Sequence, residues 1–347
     1  MPNPDLHPAA ERMSHLLSAL PDDAMGAPTP CPDLPVGALI DHVGGFAKVF
    51  TASARKEIGD LTAQPPDPRA GNLEPGWRDR VAADLAALAD AWDAPESWDG
   101  MTQAGGQDLP AAMAGRIALD ELVIHGWDIA QATGQPFDCD AAALTEVEST
   151  VQQVRGGNDG ELPGLFGPVV PISGDASNLD RALSLTGRDP AWSPRLTSKR
   201  RVSDIMSAMS EGRVRPLFDS MAEDVTWRWM GVKQWTRSFN GKQTVVDTLF
   251  GGNAETLSPS SSVEVHCIHA DGDFVIAEHS GRNKLPDGRR YDNNYCWVFR
   301  FQNGLIQEVR EYMDTQLVTE TFGEEAVPVA CPIDQSTPGT HGHSRTA

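Results

Sequence analysis

Residues 120–128 read DELVIHGWD, and this stretch determines how the first half of the chain is interpreted. Glu121 and His125 are four residues apart, so on a helix their side chains lie on one face, one turn apart. Ile117 and Ile124 lie on the same face and mark it as buried. A buried carboxylate and imidazole cost free energy unless they pair with each other or bind a metal. The stretch therefore predicts a helix with a polar site on its inner face.

The segments around this stretch also have helical periodicity. Apolar residues recur at helical spacing in residues 8–20, 35–50, 77–92, 110–133 and 141–155. No convincing strand pattern occurs in this half, so residues 1–195 are predicted to form an all-α bundle of the four-helix type. Residues 157–180 are rich in glycine and proline and are predicted to form a loop across the bundle.

His42 is the third polar residue of this predicted site. It flanks the apolar stripe of its own helix, three residues after Leu39 and four before Phe46. Two imidazoles and one carboxylate that converge in a bundle form a three-ligand site for a divalent metal and leave a position for water or substrate. The alternative is a buried ion pair between Glu121 and His125, with His42 as a core histidine.

The second half of the chain has a different periodicity. A helix is predicted over residues 202–222, followed by strands over residues 225–229, 262–270, 273–283, 290–302 and 305–314. Asp271-Gly272, Asp287-Gly288 and Asn303-Gly304 are strong hairpin signals between these strands. The pattern predicts an α+β domain, with a curved antiparallel sheet around helices and a pocket between them.

Charge and composition limit the functions that this chain can have. Of the 347 residues, 49 are acidic and 28 are Lys or Arg, for a net charge of −21. This argues against nucleic acid or an anionic membrane as the main partner, since both need a basic surface. The sequence predicts no membrane-spanning segment and no export signal. The five cysteines are widely spaced, so a disulfide framework is not expected. Because disulfides are rare in the cytoplasm, we expect a cytoplasmic protein.

The charge is unevenly distributed between two predicted domains. Residues 1–195 carry 12 basic and 29 acidic side chains, a net charge of −17, whereas residues 196–347 carry 16 and 20, a net charge of −4. The change falls in a proline-rich, basic stretch near residues 193–200, which is predicted to be a linker. The second domain is predicted to end at residue 323, and residues 324–347 to be a disordered tail.

Three motifs of the first half resemble a known family. They are TPCPDLPVGALIDHV at residues 29–43, DELVIHGWDIAQATG at residues 120–134 and LTGRDPAW at residues 185–192. The chain resembles DinB-like metal-binding bundles there, in particular the N-terminal domain of mycothiol-dependent maleylpyruvate isomerase. This resemblance implies that His42, Glu121 and His125 bind a divalent metal, with zinc preferred, and that mycothiol is a possible co-substrate. The sterol-carrier-like C-terminal domain of the isomerase is not present, so the resemblance implies no substrate.

The second half resembles SnoaL-like proteins of the nuclear transport factor 2 superfamily, which includes ketosteroid isomerase, polyketide cyclases and limonene epoxide hydrolase. The resembling segments are residues 227–229, 239–246, 271–281, 291–301 and 303–314. In enzymes of this fold a carboxylate inside the cone formed by the sheet transfers a proton. The resemblance makes three carboxylates catalytic candidates and five residues pocket candidates. The catalytic candidates are Glu278, Glu311 and Asp314, and the pocket candidates are Trp227, Trp229, His279, Asn293 and Asn294.

Strand alternation limits these candidates. Only one residue of each adjacent pair, Glu278 with His279 and Asn293 with Asn294, can face the inside of the cone. The alternative for Glu311 is a salt bridge with Arg310 and Arg300 on the outer face of the sheet. The Tyr/Asp/Asp arrangement of ketosteroid isomerase is not evident, so that reaction is not implied.

Three functional hypotheses follow. The first is a metal-dependent, thiol-dependent transferase or isomerase that acts on a small organic substrate, with the SnoaL-like domain binding or processing a small hydrophobic molecule. The second is a SnoaL-like cyclase, isomerase or hydrolase whose bundle binds a structural metal. The third is a non-catalytic ligand-binding protein, which could form a homodimer through the SnoaL-like sheet.

Overall fold

The computed structural model describes residues 3–32, 34–65, 67–251, 261–285 and 287–323. The chain divides into two compact units, Met1–Pro194 and Arg195–Ala347. The division lies one residue before the predicted domain boundary. The predicted disordered tail, residues 324–347, lies outside the described residues. No helix in the described ranges is long and apolar enough to cross a membrane.

The described residues of the first unit contain six α-helices: α1 (His7–Ser18), α2 (Val36–Arg55), α3 (Trp77–Trp92), α4 (Ala111–Thr133), α5 (Ala141–Arg155) and α6 (Asn178–Leu185). Helix α2 packs against α3 and α4, and α1 packs against the same two helices. These four helices form the predicted bundle, which is thereby confirmed, and α5 extends it by packing between α4 and α6.

Apolar stripes and helix ends explain why these helices form where they do. Leu39, Ile40 and Val43 of α2 are completely buried in the bundle core. Helix α4 ends at Gly134, whose φ of 67° places it in the left-handed region that glycine adopts without strain. Helix α5 begins after Asp140, whose side chain accepts a hydrogen bond of 2.8 Å from the Ala143 amide.

The first unit also contains a hairpin, so the expectation of no strands in this half was wrong. Strands β1 (Met101–Ala104) and β2 (Gln107–Pro110) pair antiparallel across Gly105 and Gly106. Both glycines have positive φ angles, 55° and 78°, as a two-residue hairpin turn of the primed type requires. The Gly-Gly pair was a sequence signal for this turn, but the strands are only four residues long and carry weak alternation.

The second unit is an α+β domain, as predicted. Its strands are β3 (Met221–Met230), β4 (Thr236–Asn240), β5 (Ser261–Asp271), β6 (Phe274–Lys284), β7 (Arg290–Gln302) and β8 (Leu305–Met313). Its helices are α7 (Pro194–Ser210), α8 (Arg215–Asp219), α9 (Lys242–Leu249) and α10 (Thr315–Phe322). The sheet has the order β4-β3-β8-β7-β6-β5, and its inner face packs an apolar core. We call the volume enclosed by this inner face the cone.

Several details of the second unit differ from the prediction. The helix predicted over residues 202–222 starts earlier, at Pro194, and so takes in most of the predicted linker. It ends at Ser210 because Gly212 has a φ of 84°, which breaks the helix before α8. Strand β3 runs parallel to β8, whereas the other strand pairs are antiparallel. Strand β4 and helix α9 were not predicted.

Candidate functional site

The three predicted metal ligands come together inside the bundle. The Glu121 Oε2 atom lies 3.1 Å from His42 Nε2 and 3.0 Å from His125 Nε2. One ligand atom from each residue lies within 4.8 Å of the other two, so the set can hold a metal ion. The two imidazole rings are nearly perpendicular, with centroids 4.9 Å apart. We call these three residues the ligand cluster.

A buried ion pair orients one histidine of the ligand cluster. The Nδ1 atom of His125 lies 2.9 Å from Asp128 Oδ2, and this leaves Nε2 facing Glu121. Asp128 is completely buried, and Arg188 Nη2 donates to its Oδ2 over 3.1 Å. A carboxylate that holds the second nitrogen of a metal-binding histidine fixes the ring orientation. Asp41, which directly precedes His42 in the chain, accepts hydrogen bonds from the Arg69 amide and the Asn72 side chain.

The charges in the site favour a positive charge at the centre of the ligand cluster. Burial alone would raise the pKa of Glu121, but hydrogen bonds from His125 and His42 hold it well below its usual range. Burial opposes protonation of His125, yet its hydrogen bonds to Asp128 and Glu121 raise its pKa to about 9. Burial and the nearby Glu121 charge raise the pKa of Asp120 to about 7. The protonated His125 supplies a positive charge beside the ionised Glu121, and a bound metal ion would replace that proton.

A cavity of about 480 Å³ opens onto the ligand cluster. Its wall includes apolar residues of α4, the α5 residues Thr150 and Val154, and Arg188. Cys31 also lines it, and one ligand atom each of Cys31, His125 and Asp128 lie within 4.8 Å of one another. The cavity is therefore large enough for a small organic molecule, and all three residues of the ligand cluster line it.

The far side of the cavity is formed by residues 158–167, which we call the cover loop. Residues 161, 162 and 164–167 of this loop line the cavity. Arg155, only 5% exposed, holds the loop by donating to the carbonyls of Asn158, Gly160 and Gly167, and it also donates to Leu185. The predicted loop across the bundle thus covers the site, and one buried arginine fixes its backbone.

The cover loop also touches the turn that carries Arg188. A Cβ atom built on Gly187 would lie 2.6 Å from the Gly167 Cα atom, far inside normal contact. Gly187 also has a φ of 80°, which side-chain-bearing residues rarely adopt. Two backbones therefore meet directly at the rim of the cavity.

In the second unit, Glu311 is the candidate carboxylate that faces the cone. It is 1% exposed, and its Oε2 accepts hydrogen bonds from Trp227 Nε1 (2.6 Å) and Trp229 Nε1 (3.0 Å). Burial raises its pKa to about 7, although the indole hydrogen bonds partly oppose this shift. A carboxyl group with such a pKa can both donate and accept a proton near neutral pH.

His279 and Asn293 are the members of their pairs that face the cone. His279 is 2% exposed, stacks on Tyr295 and has a pKa lowered to about 4, mainly by burial. Asn293 donates to the Tyr291 hydroxyl over 3.0 Å and accepts from the Asp314 amide. Glu278 and Asn294 are exposed on the opposite face, so their placement in the cone was wrong because strand alternation turns them outward.

Asp314 does not face the cone either. It is exposed and caps α10, because its Oδ1 accepts hydrogen bonds from the Gln316 and Leu317 amides. Its carboxylate is therefore occupied by a structural role at a helix start, and its backbone contacts Asn293.

The alternative role considered for Glu311 belongs to Glu308. Glu308 is paired on the outer side of the sheet with Arg228 (3.3 Å), Arg300 (3.5 Å) and Arg310 (3.0 Å). A bulge in β8 between the residues paired with Arg300 and Phe301 accompanies this arrangement. Sequence alternation alone did not reveal which glutamate would meet the arginines.

Four residues of the first site were not predicted from the sequence: Asp120, Thr150, Arg155 and Arg188. All four are at least nine-tenths buried, and each belongs to a residue type that is usually exposed. Arg188 lies within the quoted LTGRDPAW motif, but no spacing rule connects it with Asp128, which is 60 residues earlier. For Thr150, the apolar face of residues 141–155 was the available signal.

Comparison with known proteins supports both resemblances identified from the sequence. Residues 6–130 match the family model described as mycothiol maleylpyruvate isomerase N-terminal domain, and residues 202–309 match the SnoaL-like domain. An uncharacterized protein of Mycobacterium tuberculosis, found in two strains, is 29% identical over 143 residues, which are 40% of this chain and 70% of that protein.

Solved structures are also similar to part of this chain. An LEH-like epoxide hydrolase of M. tuberculosis is 19% identical and covers 36% of this chain and 89% of its own, with a TM-score of 0.29. An NTF2-like protein from Burkholderia thailandensis is 18% identical and covers 35% of this chain and 95% of its own, with a TM-score of 0.31. The family model matched by residues 6–130 thus has an isomerase in its name.

Proposed function

We propose that this chain, which joins a domain of the mycothiol maleylpyruvate isomerase type to a SnoaL-like domain, is a metal-dependent enzyme that uses a low-molecular-weight thiol. His42, Glu121 and His125 would hold the divalent metal, with zinc as the preferred ion and mycothiol as the preferred thiol. The reaction would be transfer to, or isomerisation of, a small organic substrate. The SnoaL-like domain would bind or process a small hydrophobic molecule.

The donor set fits such a metal. Two imidazole nitrogens and one carboxylate oxygen within 4.8 Å of one another are typical ligands of a catalytic zinc site, which keeps a further position for substrate. The single observation that carries the proposal is that both histidine Nε2 atoms face the same Glu121 oxygen on the lining of the cavity. When bound, a zinc ion lowers the pKa of a thiol and holds the thiolate ready as a nucleophile.

The protein's own residues supply orientation and shielding. Asp128 holds His125 Nδ1, and Arg188 neutralises Asp128 so that the buried carboxylate is stable. Ile117, Ile124 and the cover loop surround the site with apolar side chains and restrict water. A sheltered site of this kind strengthens electrostatic interactions with a charged nucleophile.

Metal analysis of the purified full chain tests the first part of the proposal. We expect about one zinc ion per chain in the wild type and loss of zinc in His125→Ala, with unchanged circular dichroism. His15→Ala, at an exposed position of α1, is the matched control and should retain the metal. A folded wild-type protein that binds no zinc, cobalt or other divalent ion would rule the proposal out.

Binding of mycothiol tests the thiol part. The zinc-loaded protein should melt at a higher temperature with saturating mycothiol, because a ligand that binds only the folded state stabilises it. The shift should be absent in metal-free protein and in His125→Ala. An equal shift with and without metal would place thiol binding away from the ligand cluster.

Glu311 favours a second candidate function, catalysis in the cone. A buried carboxyl group with a pKa of about 7 is suited to proton transfer in a cyclase, isomerase or hydrolase, with the bundle then binding a structural metal. Under this alternative, Glu311→Gln abolishes turnover of the substrate whereas His125→Ala does not. The opposite result would place the reaction at the ligand cluster.

Two further expectations belong to this proposal. We propose that the protein acts in the cytoplasm, and that it pairs with a second copy through the outer face of the sheet in the second unit. Exposed Tyr312 and Met230 lie on that face and would become buried. Light scattering of the wild type and of a Tyr312→Lys variant would detect the dimer and its loss.

A further inference from the structure

The wall of the bundle cavity includes apolar side chains that are not buried. They come from the segment before α2, from α4, from α5 and from the cover loop: Leu34, Ile117, Val154, Leu162 and Leu165. Removal of such apolar surface from water is favourable in proportion to the area that is covered. An apolar molecule in the cavity would cover this surface.

Leu165 is the most exposed of these side chains, at 64%. Its position is fixed, because its amide donates to the Leu162 carbonyl over 2.9 Å and the Leu162 amide donates to the Phe166 carbonyl over 2.8 Å. Gly164, with a φ of 77°, allows the tight turn between them. A single exposed leucine is common on protein surfaces. This one, however, is held on a cavity wall, where a molecule in the cavity can contact it.

No arginine or lysine on the cavity wall is free to bind an anion, within the part of the chain that the structure describes. Arg188 is the one such residue of the lining. Its Nε and Nη2 atoms donate to Asp128, and its Nη1 atom donates to the Thr186 carbonyl. Glu121 and Glu161 add carboxylates to the same wall. A carboxylate on a substrate would therefore lose its hydration next to other carboxylates.

The metal of the proposed function does not reverse this balance. A divalent ion carries two positive charges, and the ionised Glu121 supplies one negative charge to it. The thiolate that the metal would hold supplies the other. A second substrate would therefore meet a metal centre without net charge, beside an apolar wall.

From these observations we infer that the second substrate, the molecule that reacts with the thiol, is uncharged and apolar and binds against Leu165, Leu162 and Ile117. Leu165 is the specificity-determining residue of this surface, because it is the most exposed of the apolar side chains on the wall. This inference rests on the proposed function, which places the thiol at the ligand cluster and leaves this wall to its reaction partner.

Nuclear magnetic resonance of the full chain tests this inference. The two probes are 2-acetylnaphthalene and 2-naphthoate, which share an apolar body, whereas only the second carries a negative charge. The Ile117 methyl signal, assigned with an Ile117→Val variant, reports binding at this wall and not in the cone. In protein loaded with zinc and mycothiol, we expect 2-acetylnaphthalene to shift this signal in a saturable manner. It should bind about tenfold more tightly than 2-naphthoate.

Substitutions of Leu165 test its role in this preference. Leu165→Ala should weaken the binding of 2-acetylnaphthalene by about tenfold, because part of the apolar contact is lost. Leu165→Lys supplies the missing cation, so it should strengthen the binding of 2-naphthoate and weaken that of 2-acetylnaphthalene. Leu61→Ala is the matched control, since Leu61 is 51% exposed and does not line the cavity.

The zinc content and the melting shift with mycothiol are measured on the same samples. If both are as expected but 2-naphthoate binds as tightly as 2-acetylnaphthalene, or Leu165→Ala binds both probes as the wild type does, the substrate inference is overturned and the proposed function stands. If the chain binds neither zinc nor mycothiol, the proposed function fails. The titration is repeated with metal-free protein, where an unshifted Ile117 signal overturns the apolar surface independently of the metal.

Discussion

At the scale of single residues, the orientation of His125 depends on Asp128. Replacing Asp128 with asparagine keeps its size but removes the charge that holds both His125 and Arg188. We expect zinc affinity to fall by about 10- to 100-fold, the usual effect of losing a partner that orients a ligand. Competition with a zinc chelator measures it. Asp41→Asn is the control, because Asp41 bonds to Arg69 and Asn72 and should leave the affinity unchanged.

Two buried titratable groups, Glu311 and His279, give the stability of the second unit an unusual dependence on pH. The pKa of Glu311 is raised from 4.5 to about 7, so its contribution to stability is complete below pH 4.5 and is lost as the pH rises to 7. The pKa of His279 is lowered from 6.5 to about 4, so its contribution is lost as the pH falls from 6.5 to 4. Each effect is about 3 kcal/mol, and between pH 4.5 and 6.5 they oppose each other.

Single substitutions should reveal the two opposing titrations. In Glu311→Gln only His279 remains, so the free energy of unfolding should rise between pH 4.5 and 6.5 relative to the wild type. In His279→Phe only Glu311 remains, so the free energy of unfolding should fall as the pH rises from 4.5 to 7. Hydrogen exchange of β7 and β8 peptides in the full chain, corrected for the intrinsic rate, measures both. If the free energy of unfolding changes with pH in the same way in all three proteins, the opposing pKa shifts of Glu311 and His279 are contradicted.

The ligand cluster could be predicted from sequence because helix geometry places Glu121 and His125 on one face, and periodicity turns His42 inward. Arg188 could not, because its position is set by the path of a loop. The side of β6 and β7 that faces the cone was also undecided, since alternation gives two solutions and only the packing of Trp297 against Trp227 and His279 selects one.

At the scale of elements, the cover loop depends on Arg155. Lysine at this position keeps the charge but cannot reach several carbonyls at once. Arg155→Lys should lower the local opening free energy of residues 158–167 by about 2 kcal/mol and increase their hydrogen exchange roughly thirtyfold. Arg12→Lys, at a surface ion pair with Asp138, is the control. Unchanged exchange in the cover loop would show that other contacts hold it.

Elements with a long apolar period were predictable, and short elements were not. The α3 and α5 bounds agree with the sequence, because their apolar stripes extend over the whole helix. The break at Gly212 was hidden by apolar residues on both sides, which continue the helical pattern across it. Strand β4 has only five residues, too few for alternation to stand out.

At the scale of the whole molecule, each unit has its own apolar core. The two core clusters share no residue. The first cluster includes apolar residues of α2 and α4, the two helices that carry His42, Glu121 and His125. We therefore expect residues 1–194 to fold alone and to bind zinc with the same stoichiometry as the full chain. Metal analysis and thermal melting of the fragment test this. A fragment that folds but does not bind zinc would mean that the second unit completes the metal site.

The contact between Gly167 and Gly187 has a mechanical consequence. Gly167 is the last residue of the cover loop, and Gly187 directly precedes Arg188, which binds Asp128. A displacement of the cover loop would therefore be transmitted through this backbone contact to Arg188. A substrate that lifts the cover loop would also pull on the residue that aligns His125. If the proposed function holds, the size of the substrate would thereby affect the metal ligand His125 through this contact between two glycines.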